Sequence, residues 1–357
     1  MTGSFDAYIA VDWSARGNPS PRRPSPDAIW ISETDPTGTG VVYVRTRSAA
    51  MHLLRSRLVA HVEAGRRVLA GFDFAFGFPQ GFAAAITEGN TPEKPGKHRS
   101  AGQWSRPADS KQADGKQERL SRSGQQDGAS TVSQAWARVW SSFASLVEDD
   151  RRNRNNRFEV ASLLNRRCLA QAGPFWGHPP GRSYDRLEPT SPAGGYPVRA
   201  SGGTPLDRYR ITERAESAAG VQPVWKLYGP ASVGGQTLTG IAHLEALRRD
   251  CVLSPYLALF PFETGFRVPS DARVVLSEIW PNLFPFDTDD SIRDRAQVRA
   301  VTAGLQRLDR AGRLHCLFAP PSGMTSAECH ACEQEEGWIL GAGQLTRAPH
   351  VSLTHEQ

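Results

Sequence analysis

Residues 8–17 read YIAVDWSARG and place an aspartate, Asp12, at the end of an apolar run. Tyrosine, isoleucine and valine favour β-structure, so residues 8–13 are predicted to form a buried strand. Aspartate is depleted in strands, and its carboxylate is costly to bury without a partner. The position of Asp12 therefore indicates that this strand end has a function.

The first 85 residues carry alternating strand and helix signals around that strand. Further strands are predicted at 28–32 and 41–45, and within RRVLAGFDFAFGFP, residues 66–79. A helix between the last two begins near Ser48 as N-cap and places Met51, Leu54, Leu58 and Val62 near one face. Three strands, a helix and a strand are typical of a mixed sheet covered by helices. We therefore expect an α/β fold.

Composition narrows the class of protein. The chain has 357 residues, of which 39% are hydrophobic and 22% are charged, as in a soluble globular protein. Its formal net charge of +5 is compatible with a phosphate-bearing partner. Five irregularly spaced cysteines favour a reducing compartment. The absence of a leader-like amino terminus and of an 18-residue apolar run predicts a cytoplasmic protein without a membrane partner.

The chain divides into five predicted segments. Residues 91–131 are rich in Ser, Gly, Gln, Lys and Arg, and such a composition predicts a disordered insertion. It follows an amino-terminal half-domain at 1–90 and precedes a helical, loop-rich insert at 132–272. A carboxyl-terminal half-domain at 273–345 contains another strand, DARVVLSEIWP (271–281), and a tail covers 346–357. Two closing helices are predicted to begin at capping boxes, Ser291 with Asp294 and Thr325 with Glu328.

Three predicted strands carry an acid near the carboxyl end: Asp12, Asp73 and Glu278. In a sheet covered by helices, functional groups collect just beyond these ends. Three carboxylates there would repel one another unless a cation neutralised them, and oxygen ligands suit Mg²⁺ or Mn²⁺. The alternative is that each acid accepts a hydrogen bond from a neighbouring amide or pairs with an arginine.

A fourth metal ligand is expected from a helix, and Glu335 or Glu336 in EQEEGW is the candidate. Asp294 competes for this role, but its predicted capping position explains it without catalysis. Lys226 precedes a Gly-rich stretch, residues 229–240, that either binds a phosphate or is a flexible loop. The basic run RRNRNNR, residues 151–157, either contacts a nucleic-acid backbone or is a solvated face.

Several motifs, in order, resemble the DUF429 family of predicted ribonuclease-H-like nucleases. They are IAVDWSA (9–15), GFDFAFGFP (71–79), SEIWPNLFP (277–285) and RDRAQVRAVTAGLQRL (293–308). Gln222 and Lys226 match family positions between the second and third of these motifs. The resemblance implies three antiparallel strands followed by parallel strands, with helices on both faces. The chain departs from the family pattern where Ala75 replaces a proline and where paired aspartates of the last helix are absent.

The sequence thus predicts a phosphodiester hydrolase that depends on Mg²⁺ or Mn²⁺. Asp12, Asp73 and Glu278 hold the metal, and Glu335 or Glu336 completes the set. The substrate, a nucleic acid or a phosphorylated small molecule, is expected to contact Lys226, Trp13, Ser14 and Gln222. The alternatives are a non-catalytic ligand- or nucleic-acid-binding protein on the same fold and a nucleotide-dependent phosphotransferase, although the chain lacks a recognisable glycine pair for adenosine phosphates. The oligomeric state stays open.

Overall fold

The computed structural model describes residues 3–88, 134–168, 173–215 and 222–345. The predicted disordered insertion at 91–131 and the predicted tail at 346–357 lie outside these residues. No helix among the described residues combines the length and the apolar character needed to cross a membrane.

The main sheet has six strands in the order β3-β2-β1-β4-β8-β7. The three antiparallel strands are β1 (Ala7–Asp12), β2 (Ile29–Asp35) and β3 (Gly38–Val44). Parallel pairing extends the sheet on the other side of β1 through β4 (Val68–Phe72), β8 (Val274–Glu278) and β7 (Leu257–Leu259). The chain is therefore an α/β protein with a mixed sheet, as its first 85 residues predict.

Helices surround this sheet and extend from it. They are α1 (Arg47–Glu63), α2 (Phe82–Glu88), α3 (Ala135–Leu146), α4 (Arg157–Cys168), α5 (Ile211–Arg214), α6 (Gly234–Arg248), α7 (Arg293–Arg310), α8 (His315–Phe318) and α9 (Ser326–Ala331). A π-helical turn, Cys332–Glu336, follows α9 directly. A separate two-stranded sheet pairs β5 (Val198–Arg199) with β6 (Pro205–Leu206).

Two apolar cores lie on opposite faces of the main sheet, because side chains alternate along a strand. Val11, Phe72 and Leu276 face the core that includes Leu54 and Leu58 of α1. The other face buries Ala10, Leu69 and Val275 against α7, which contributes Val298, Val301 and Leu305. A side chain at the end of a strand can therefore contact only residues that lie on the same face of the sheet.

Some predicted boundaries are wrong. Leu257–Leu259, predicted to belong to the insert, is the edge strand of the main sheet. The N-cap of α1 is Thr46 rather than Ser48, and its hydroxyl accepts a hydrogen bond from Ala49 N. The N-cap of α7 is Ile292, so Ser291 and Asp294 form no capping box. The capping box of Thr325 and Glu328 is confirmed.

Candidate functional site

Asp12 and Asp73 lie side by side at the carboxyl ends of two neighbouring parallel strands. Val11 of β1 is level with Phe72 of β4, and Asp73 N donates to Val11 O at 3.2 Å. The next residues, Asp12 and Asp73, therefore share the face that packs on α7. Their backbones are about 4.8 Å apart, the usual spacing of neighbouring strands. Trp13 N donates to Asp73 Oδ1 at 2.7 Å and orients that carboxylate.

The amino-terminal turn of α7 brings a third acid, Asp294, to these two. Its Oδ2 accepts a hydrogen bond of 2.9 Å from the backbone N of Asp27, which lies just before β2. The negative charges of Asp73, Asp294 and Asp27 all act on Asp12. We call Asp12, Asp73 and Asp294, with Asp27 at the rim, the acidic site.

Within the described part of the chain, the charged groups that shift the pKa of Asp12 are all negative. Burial raises its pKa well above the ordinary value, and the charges of Asp73, Asp294 and Asp27 raise it further. Burial also raises the pKa of Asp73 to about 8, helped by the charge of Asp294 and opposed by the hydrogen bond from Trp13. The structure records no hydrogen bond to the Asp12 carboxylate from any described residue. A nearby cation would stabilise the charged form of such a group.

The acidic site predicts a stability that falls as pH rises in the absence of divalent cations. The Asp73 carboxyl has a pKa of about 8 in the folded chain but near 4 in the unfolded chain, and the pKa values of Asp12 and Asp294 are also raised, so the folded state binds more protons. The stabilisation is complete below about pH 4 and is lost as pH rises towards about 8. Melting curves in EDTA from pH 5 to 8 should fall more steeply for wild type than for Asp73→Asn. Parallel curves for the two proteins would contradict this prediction.

Glu278 does not belong to the acidic site, contrary to the sequence prediction. It is level with Phe72 and therefore faces the opposite side of the sheet from Asp12 and Asp73. The guanidinium of Arg210 donates to both its oxygens, at 2.8 and 2.6 Å, and Phe76 N donates at 3.0 Å. Arg210 also pairs with buried Glu213. Glu278 is therefore a structural member of a buried ion cluster.

Glu335 and Glu336 have structural partners as well. Glu335 accepts from Gly81 N at 2.9 Å and from Ala83 N at 2.6 Å, which satisfies amides at the start of α2. Glu336 accepts from the backbone N of Gln80 and of Ile211. The same turn packs against Gly77, where an added Cβ would lie 2.3 Å from Glu335 O. These glutamates therefore hold the loop after β4 in place, and a role as fourth metal ligand stays a prediction for them.

Trp13 and Ser14 are predicted substrate contacts, but both are buried. The Trp13 indole is 1% exposed and packs on Phe74 and His243. The Ser14 hydroxyl donates to Asp27 O at 2.9 Å, so it holds the loop that presents Asp27 N to Asp294. Both residues shape the acidic site, and a substrate contact stays a prediction for them.

Lys226 and Gln222 lie in the segment before α6 and are half-buried. Lys226 Nζ donates to Pro230 O at 2.6 Å and lies 5.8 Å from the Trp176 ring centroid. Lys226 O accepts a hydrogen bond from Gly234 N at the start of α6. These contacts explain Lys226 as a support of the loop, and a substrate contact stays a prediction for both residues.

A second group of metal-ligating side chains lies on the opposite face of the sheet. Glu33, Asp35 and His61 each place one ligand atom within 4.8 Å of the other two. Among the described residues, the three carboxylates of the acidic site are not all within this distance of one another. Arg57 pairs with Glu33, and Arg66 Nη1 lies 3.2 Å from Asp35 Oδ2. Burial raises the pKa of Glu33, but its hydrogen bond from His61 and the charge of Arg57 lower it overall. Protein cations already neutralise this group, so we assign no metal to it.

Sequence reasoning missed Asp294 as a site residue because it interpreted this acid as a cap. The available signal was an acid in the first turn of the helix that follows the last strand. Comparisons of the chain with protein-family models, with curated proteins and with solved structures found no match. The chemistry of the site therefore follows from its own geometry.

Proposed function

We propose that the protein is a phosphodiester hydrolase of ribonuclease-H-like architecture that uses one or two Mg²⁺ or Mn²⁺ ions. The observation that carries this proposal is the nearly buried Asp12 carboxylate, whose charged neighbours are all negative. Asp12, Asp73 and Asp294 offer only oxygen ligands, which suit these hard cations. The order of antiparallel and then parallel strands supports the proposed architecture.

The three carboxylates would hold the metal, and the surrounding backbone keeps them in position. Trp13 N fixes Asp73 from one side, and Asp27 N fixes Asp294 from the other. When bound, a divalent cation lowers the pKa of water and neutralises charge on phosphoryl oxygens. The chain's own part is to bring three acids from distant segments to one edge of the sheet, where a bound cation would favour their deprotonated forms.

A melting experiment with Mn²⁺ tests the metal site directly. Millimolar Mn²⁺ should raise the melting temperature of the wild type, because a ligand at about 100 times its Kd stabilises the native state by about 2.7 kcal/mol. The double variant Asp12→Asn, Asp73→Asn should show no such rise. Asp290→Asn is the matched control, because Asp290 precedes α7 but pairs with Arg295 at 2.6 Å.

The possible results of the Mn²⁺ experiment lead to different conclusions about the metal site. A Mn²⁺ response that is retained by the double variant would place the metal elsewhere. A wild type that does not respond at all would remove the basis of the proposal. Binding of Mn²⁺ without cleavage of any phosphodiester would instead favour a non-catalytic binding protein.

A further inference from the structure

Two arginine-rich loops lie against each other beside the acidic site. One loop, residues 13–28, connects β1 to β2, and the other, residues 147–156, connects α3 to α4. Asn153 joins them, because its side-chain Nδ2 donates to Asn18 O at 3.3 Å and to Arg45 O at 3.2 Å. We call their exposed basic residues the arginine surface: Arg16, Arg22, Arg23, Arg151, Arg152 and Arg154.

A buried arginine, Arg47, fixes the relative position of the two loops. Its side chain is fully buried and donates to Ser14 O at 2.7 Å and Arg16 O at 2.9 Å in the first loop. In the second loop it donates to Asn153 O at 2.8 Å and pairs with Asp149. The arginine surface is therefore mounted on a rigid support, which lowers the entropic cost of binding a ligand.

Positive charge exceeds negative charge on this surface. Arg47 and His243 occupy Asp149, and Asp150 pairs with Arg154 while it accepts from the backbone N of Arg152. The remaining acids around the loops are Glu148, Glu159 and Asp27. Among the described residues, no ion pair is seen for the other five members of the surface.

Arg157, at the start of α4, adds a further positive group beneath the surface. Its Nε is buried and has no hydrogen-bond partner within the described part of the chain. Burial and the charge of Arg47 lower its pKa to about 10, although the negative groups at Glu159, Asp149 and Tyr184 oppose this. An anion on the surface would stabilise its charged form.

The arginine surface and the acidic site share one loop. Residues 13–28 begin directly after Asp12 and end with Asp27, whose backbone N binds Asp294. Arg16 is four residues from Asp12, so their Cα atoms are at most about 14 Å apart. An extended phosphodiester chain could contact the arginines while one of its bonds lies at the carboxylates.

We propose that the arginine surface binds the phosphate backbone of a nucleic-acid strand and leads it to the acidic site. Guanidinium groups match phosphate oxygens in a two-pronged geometry and form contacts that do not depend on base sequence. This inference rests on the proposed function for the cleavage step, and it makes the substrate a nucleic acid rather than a small phosphoester.

Binding in EDTA tests the surface without cleavage. Fluorescence anisotropy of labelled 20-nucleotide DNA and RNA, single- and double-stranded, is measured at several salt concentrations. Arg151→Gln, Arg152→Gln should weaken binding roughly tenfold and make the slope of log K against log salt shallower by about 2. Arg307→Gln, Arg310→Gln is the control, since these exposed residues lie in the last turn of an 18-residue helix that begins beside the acidic site, about 20–24 Å along the helix from Asp294.

Unchanged binding in the loop variant, equal weakening in the control, or no binding by the wild type overturns the inference. Arg22→Gln, Arg23→Gln repeats the test on the first loop. Binding to anionic lipid vesicles but not to nucleic acid would also overturn it. Asp12→Asn should still bind nucleic acid, because the arginine surface is intact in this variant. If the wild type bound nucleic acid but did not cleave it with Mn²⁺, that result would count against the proposed function and not against the arginine surface.

Discussion

Replacing Asp12 with asparagine is expected to lower Mn²⁺-dependent phosphodiester hydrolysis at least about 100-fold, because a bound metal supplies several kcal/mol of transition-state stabilisation. The same loss is expected for Asp294→Asn, although the sequence alone assigns Asp294 to helix capping. The measurement is the rate of cleavage of an activated phosphodiester, such as bis(4-nitrophenyl) phosphate, and of a labelled oligonucleotide, with Mn²⁺ present and absent.

Stability distinguishes this loss from misfolding. Both substitutions remove a carboxylate with a raised pKa, so the variants should melt at the same or a higher temperature than wild type in EDTA at pH 8. Asp290→Asn should cleave at the wild-type rate, since its carboxylate is engaged by Arg295. Wild-type turnover in Asp12→Asn or Asp294→Asn would refute the assignment.

Replacing Arg210 with methionine is expected to destabilise the fold by about 3–5 kcal/mol. Arg210 is completely buried, and its guanidinium binds Glu278, Glu213 and the backbone O of Glu336. Without it, two buried carboxylates lose their counter-charge, which costs more than removal of the whole cluster. The measurement is the free energy of unfolding in urea, at pH 7.

Arg214→Met is the matched control for Arg210→Met. Arg214 lies one helical turn away, pairs loosely with Asp207 at 3.6 Å and is about half exposed. Its loss should change stability by less than about 1 kcal/mol. If Arg210→Met folded stably but lost its response to Mn²⁺, Glu278 and its neighbours would have to be reconsidered as metal-binding residues.

The sheet and two of its acids could be predicted from sequence because both depend on short-range patterns. Apolar runs that end at Asp12 and Asp73 identify β1 and β4, and parallel strands bring their carboxyl ends to one edge. Asp12 follows Val11 and Asp73 follows Phe72, and these two apolar residues lie level on one face of the sheet. The two acids therefore share the other face.

The other acids could not be assigned in this way, since their roles depend on side-chain direction. Glu278 also ends a strand, but it lies level with Phe72, whereas Asp12 and Asp73 come one residue beyond the level of Phe72. This shift of one residue turns Glu278 to the opposite face of the sheet. To assign Asp294 to the acidic site, one must know that α7 packs across the sheet with its first turn beside the end of β1. The amides that engage Glu335 and Glu336 come from residues more than 100 positions away, and no local pattern reports them.

The strand order also has a consequence for synthesis of the chain. β4 pairs with β8, yet about 200 residues separate these neighbours in the sequence. A ribosome that adds 5–20 residues per second needs about 10–40 s to complete that interval. Throughout it, the nascent chain carries β4 as an unpaired, wholly apolar edge, a template for wrong pairing. Early termination before residue 274 therefore leaves a fragment with an open sheet edge and without Asp294.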